Sequence, residues 1–216
     1  NLMTKIGFIA LFVCTLSCWM PNVLAVSSFS AIPVKQVAAV QKQPASVPKT
    51  NLLLDKERLR DAQQQLLGRP ELAQRPLYVL DKVDFFDGTR PRIELIVAHR
   101  SGKDVPLNIY TFENGTWRAE PIEQDYSDNY IAKHQMQLDD TDWAQVADVA
   151  RVWQEKAREV KAVETEPYYI SLVWLPPQRK RFWHTATLEA VGKQYYLSLH
   201  ENGTVWEWKR PAAEKE

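Results

Sequence analysis

Beyond residue 18 the sequence has no cysteine; its only two are Cys14 and Cys18. A chain folded from the residues that follow has no internal disulfide, no thiolate nucleophile and no zinc–thiolate site. Glycine is scarce, at 7 of 216 residues. The glycines stand singly, so no glycine-rich loop that cradles phosphate is present. Histidine is limited to His99, His134, His184 and His200. No two are spaced as HxH, as HExxH or as i, i+4 on a helix, so no metal site and no cofactor is expected. From Asn51 onward serine never falls in a GxSxG or SxxK context: Ser101 is followed at +3 by Asp104, Ser171 by Trp174 and Ser198 by Glu201, so the usual signatures of an activated nucleophile are missing there. Neither charge predominates, with 27 Lys and Arg against 27 Asp and Glu. Nucleic-acid binders carry a basic excess, so no nucleic-acid partner is expected.

Long apolar runs are also missing, with one exception. Ile6–Met20 has no charge, follows Lys5, and is broken by Pro21-Asn22 before Val23-Leu24-Ala25. A basic start, an apolar middle and a small-residue cleavage site form the pattern of a secretory signal. The run of 15 residues is short for a hydrocarbon core of about 30 Å. Residues 1–25 are therefore expected to be a removed signal peptide. That places the protein in the bacterial periplasm or envelope, with no membrane span after cleavage. An uncleaved anchor and a lipid-linked Cys18 are the alternatives.

Residues 26–50 hold Lys35, Lys42 and Lys49, no acid, and prolines at 33, 44 and 48. The prolines interrupt any helical or strand period, so the segment reads as a disordered tether. Removing Lys5 and these three lysines leaves 23 basic and 27 acidic residues from Asn51 onward. The folded portion is expected to be mildly acidic and mixed in sign.

From Asn51 the hydrophobic period takes over. Leu59, Ala62 and Leu66 recur at helical spacing within 51–73, and Gly68 and Pro70 can end that helix. Four strands are predicted next, at 77–86, 92–99, 107–112 and 116–122. Asn114-Gly115 between two β-rich runs is a strong hairpin signal. The polar stretch 124–138 reads as a connection. A second helix is predicted over 139–163, with Trp143, Val146, Ala147, Ala150, Trp153, Ala157 and Val160 as its apolar stripe. Asp139, Asp140 and Asp142 at its start and Lys156, Arg158 and Lys161 at its end suit the helix dipole. Strands follow at 168–175, 181–189, 194–200 and 204–209, with Asn202-Gly203 as the last turn.

The expected fold class is therefore α+β. It has two related halves, each a helix followed by an antiparallel four-stranded meander, packed helix on sheet. The first unit spans 51–123, the second 139–210, with 124–138 connecting them and 211–216 a charged tail. Glu113-Asn114-Gly115-Thr116 recurs as Glu201-Asn202-Gly203-Thr204, which suggests duplication. The two hairpins conflict in strand parity, however, so a genuine repeat requires a β-bulge in one of them. Both turns match the glycosylation sequon, and turn chemistry explains both. A helix and a small meander, used twice, resembles the tandem PepSY-like or β-lactamase-inhibitor-like arrangement. Tyr195–Trp206 is similar to the last hairpin of PepSY-type units. The resemblance carries no functional residue across; it implies a periplasmic binding or inhibitory module.

Eight tryptophans and eight tyrosines are the unusual content. Trp143 and Trp153 are expected in the core, and Trp206 and Trp208 toward the helix. Tyr196 and His200 then fall on the opposite sheet face, with Trp183 as a neighbour. Exposed aromatics on a sheet are typical of partner-binding surfaces. Arg179-Lys180-Arg181 is the one basic knot, a docking edge for an acidic partner or an anionic glycan. The expectation is a non-catalytic binding module for another envelope protein, an inhibitor, immunity or assembly accessory. The alternatives are a glycan hydrolase using carboxylates such as Asp125 or Asp128, and a membrane-anchored structural protein.

Overall fold

The computed structural model describes residues 50–209. The expected signal peptide, tether and charged tail lie outside the described residues. The described chain opens with a 3-10 turn, Leu52–Leu54, capped by Asn51, whose side chain accepts from the Leu53 amide at 2.8 Å. Helix α1, Lys56–Leu67, starts at Asp55, whose carboxylate accepts from the Arg58 amide at 3.1 Å. That bond satisfies one of the amides a helix start leaves unpaired. The meander β1 (Tyr78–Phe86), β2 (Arg92–Val97), β3 (Asn108–Glu113) and β4 (Thr116–Pro121) follows. At the β3–β4 turn Asn114 and Gly115 both have positive φ, the geometry that an Asn-Gly loop supplies.

The segment 124–138 is not an unstructured connection. It forms helix α2, Asp128–His134, and strand β5, Gln135–Gln137. Ser127 caps α2 by accepting from the Tyr130 amide at 3.1 Å, a local signal hidden in a polar stretch. β5 adds to the first half of β1, pairing Tyr78 with Gln137. Helix α3 is Gln145–Glu159, shorter at both ends than expected. The acids before it serve other bonds. Asp139 accepts from the Leu77 amide at 2.9 Å, and Asp140 accepts from Arg181 at 2.6 Å. The chain ends with β6 (Tyr169–Leu175), β7 (Lys180–Thr185), β8 (Leu188–Ala190), β9 (Lys193–His200) and β10 (Val205–Lys209).

The expected pair of helix-on-sheet halves is overturned. The described chain is dominated by one antiparallel sheet of ten strands, in the order β10-β9-β7-β6-β1-β2-β3-β4, with β5 on β1 and β8 on β9. The cause is the pairing of the two meanders through their first strands. β1 and β6 run antiparallel from Lys82 against Val173 to Phe86 against Tyr169. Each would otherwise expose a row of unpaired amides and carbonyls. Joining them makes one sheet and one continuous core.

α1 and α3 cover the same face of that sheet. Leu59, Ala62 and Leu66 from α1 and Val146, Ala150 and Trp153 from α3 join one buried cluster with Val83, Phe85, Ile93, Leu95, Ile170, Leu172, Trp183, Leu197 and Leu199. Three indoles serve this core differently. Trp117 donates to the Ala62 carbonyl and Trp153 to the Ala186 carbonyl, each at 2.8 Å. Trp143 is fully buried, edge-on to Phe85 at 5.3 Å, and its indole N–H has no partner among the described residues. The strand residues of opposite parity point away from α1 and α3.

A β-bulge between Val205 and Glu207 decides what the last hairpin presents. Trp208 pairs with Leu197 and faces the helices; Glu207 pairs with Ser198 on the other face. Trp206 sits in the bulge and turns to that other face, stacking on His200 at 5.3 Å. The expectation that Trp206 and Trp208 share the helix side is corrected for Trp206, because the inserted residue reverses its parity.

Candidate functional site

The candidate site is the sheet face turned away from α1 and α3. One cross-strand row runs over it from edge to edge. Strand pairing aligns Arg118, Thr111, Glu94, Asp84, Ser171, His184, Ser198 and Glu207 in successive register. Thr111, Ser171 and Ser198 are nonetheless buried. They are small and stand among longer side chains of the same face, Tyr169 beside Ser171, Phe182 beside His184 and Ser198, and Glu94 and Arg118 beside Thr111.

At the β1–β6 seam the row is tightly bonded. The Ser171 hydroxyl donates to Asp84, and a second bond of 2.7 Å joins it to the Tyr169 hydroxyl. The Lys82 ammonium lies 3.1 Å from the other Asp84 oxygen. Burial alone would lower the Lys82 pKa; the Asp84 carboxylate outweighs it and holds the ammonium above its ordinary value. Desolvation, then the nearby Lys82 charge, holds His184 below the ordinary imidazole range. Burial raises the Tyr169 phenol. Ser, His and Asp are thus neighbours here, but in the wrong order for nucleophilic catalysis. Ser171 bonds directly to Asp84, and its side chain is fully buried. The network pins β1 to β6.

Toward β10 the same face becomes aromatic. Phe182 lies opposite His200 in the β7–β9 pairing. Trp206 packs edge-on to Phe182 at 5.3 Å, and the Lys180 ammonium sits 3.9 Å from the Trp206 ring centroid. Tyr196, 45% exposed, stands on the same face of β9. Tyr196 and His200 therefore share one surface, as their parity predicts, and Lys180 joins them there. Trp183 does not belong to it. Its ring is 1% exposed, on the helix side, 6.5 Å from Phe85, with the indole N–H donating to the Glu201 carbonyl at 3.3 Å. Phe182 and Trp206 take the place expected of Trp183. The β7 alternation could have identified Phe182; the bulge that exposes Trp206 has no sequence mark.

The basic knot splits into different roles. Arg181 is largely buried and donates to the Gln137 carbonyl at 2.7 Å and to Asp140 at 2.6 Å, while pairing with Glu201 at 2.5 Å. It clamps β5, the segment before α3 and the β9–β10 turn together. Desolvation would lower its pKa, and the two carboxylates more than compensate. Arg179 is exposed in the β6–β7 turn at φ +49°, and Lys180 opens β7. Asp125 and Asp128 are strongly exposed and face the Arg100 guanidinium at 3.7 and 2.6 Å. Neither is desolvated as a general acid in a cleft would be.

A second cluster lies where β1 exchanges β5 for β6. Asp81 adopts φ +62° at this irregularity. Its carboxylate accepts from the Tyr130 hydroxyl at 3.0 Å and bonds His134 Nδ1 at 2.8 Å, and the Tyr130 and His134 rings stack at 3.8 Å. Burial and then Asp81 push the Tyr130 phenol up to about 12. This cluster anchors α2 to the sheet.

Comparison with protein-family models, curated proteins and solved structures returns no match. The PepSY-type resemblance of the last hairpin accordingly has no matching family model behind it. Among the described residues no helix is long and apolar enough to cross a membrane.

Proposed function

We propose that this chain is a non-catalytic binding module of the bacterial envelope whose partner is another protein. Its contact surface is the sheet face turned from α1 and α3, centred on Trp206, Phe182, His200, Tyr196 and Lys180. The observation that carries this reading is the aromatic patch on a face that neither α1 nor α3 covers. Ring-rich, partly exposed patches with a flanking cation are where protein interfaces concentrate their energy. The buried, misordered serine and the exposed, arginine-paired Asp125 and Asp128 favour binding over hydrolysis. The apolar leader followed by a small-residue cleavage site supports export. The test is affinity capture of the full chain after crosslinking in native envelopes. One stoichiometric protein is expected, lost with Trp206→Ala and retained with Arg151→Ala on the exposed side of α3. Equal capture by both variants removes the patch from the interface.

A further inference from the structure

We propose that the cavity between α2–β5 and the β6–β7 turn binds a small oxyanion-bearing ligand, a carboxylate or a phosphate. Its volume is about 440 Å³, within the range of small-ligand pockets. Lys133, Arg179 and Arg181 line it against two carboxylates, Asp140 and Glu201, and Lys180 stands at its edge with its ammonium turned to the Trp206 ring. Both carboxylates are engaged by Arg181, at 2.6 and 2.5 Å. Arg181 is therefore part of the wall. Among the described residues, Lys133, Arg179 and Lys180 have no carboxylate within ion-pairing distance.

Cations gathered in a concavity reinforce one another's potential and favour an anion there. Arg179 is brought to the rim by a backbone at φ +49°. That left-handed conformation is strained for a non-glycine residue, and a glycine in its place would relieve the strain and remove the charge. Part of the lining is aromatic and held in place. Trp174 lines the cavity beside Tyr78, and its indole N–H donates to the Lys133 carbonyl at 3.0 Å. A charged group seated among the cations thus has a ring surface beside it for the rest of a small organic ligand. The site is separate from the aromatic patch except for Lys180, so the test uses Lys133 and Arg179.

The full chain is titrated calorimetrically with inorganic phosphate, D-glucuronate and D-glucose. Phosphate, glucuronate or both are expected to bind, more weakly as salt rises, with glucose silent. Binding of only one anion identifies whether phosphate or carboxylate is the source. Lys133→Gln and Arg179→Gln should each weaken binding at least about tenfold. Their melting temperatures should match the parent, and Lys193→Gln, on an exposed strand start, should bind normally. Failure of both anions to bind, glucose binding as well as glucuronate, or full affinity in the Lys133→Gln, Arg179→Gln double variant overturns the proposal. Partner capture tests the aromatic patch separately, because neither Lys133 nor Arg179 belongs to it, so failure of one reading is distinguishable from failure of the other.

Discussion

Trp183 on β7 and Trp206 on β10, with β9 between their strands, lie on opposite faces of the sheet, and truncating each should have very unequal consequences. Trp183 is 1% exposed, packs near Phe85 and donates its indole N–H to Glu201. Removing a buried tryptophan to alanine costs about 3–5 kcal/mol, for the lost burial and the cavity left behind. In a folded region of this size, each kcal/mol lowers the melting temperature by roughly 2–4 °C. Trp183→Ala should therefore melt roughly 6–20 °C below the parent. Trp206 is only half-buried and touches Phe182, His200 and Lys180 at the β10 edge. Its truncation forfeits partial burial, two ring contacts and one cation–π contact but leaves no sealed cavity, about 1–2 kcal/mol in all, and lowers melting by roughly 2–8 °C. Thermal unfolding followed by circular dichroism, with a urea titration for the free-energy difference, measures both. Near-equal losses would refute the facing of these two strands. A Trp206→Ala loss as large as that expected for Trp183→Ala would make the patch a second core.

Trp153→Phe should destabilise more than Trp143→Phe, by about 1–2 kcal/mol, because it leaves the buried Ala186 carbonyl only the long 3.5 Å contact from the Thr185 hydroxyl, while the other removes an N–H that has no partner among the described residues; urea midpoints compare them. Arg181→Gln should cost about 1–2 kcal/mol, since Asp140 and Glu201 lose their shared guanidinium while staying partly solvated; the same denaturation series reads it. The Tyr130 phenol, folded at about 12 against an ordinary 10, contributes stability that is complete below pH 10 and lost as pH rises toward 12. Alkaline unfolding of Tyr130→Phe should therefore be less steep than that of the parent across this window.

Much of the secondary structure was legible because it is written locally. β1, β2, β3, β4, β6 and β9 lie where alternation and turn residues put them, and Asn114-Gly115 supplies its positive-φ turn. The assembly was not legible, because edge pairing of β1 with β6 joins residues about 90 positions apart and leaves no periodic trace. α2 was concealed by its polarity; its helix rests on one Ser127 cap and on anchoring by Asp81. The acids before α3 look like a dipole-matched helix start, yet two of them hold the distant Leu77 amide and Arg181. On the candidate surface, parity puts Tyr196 and His200 on the face turned from the helices, where the structure has them, and gives no place to Lys180, which the sequence marks only as part of a basic knot. It also exchanged Trp183 for Phe182, an error of one residue that carries a side chain to the opposite face.

The central claim is that the sheet face turned from α1 and α3 meets a protein partner. Its most direct test places a photo-crosslinking residue in the full chain at Tyr196 or, separately, at Arg151 on the exposed side of α3, and irradiates intact envelopes. A discrete protein adduct from position 196 and none from position 151 is the predicted result. The same adduct from both positions, or from position 151 alone, contradicts the account.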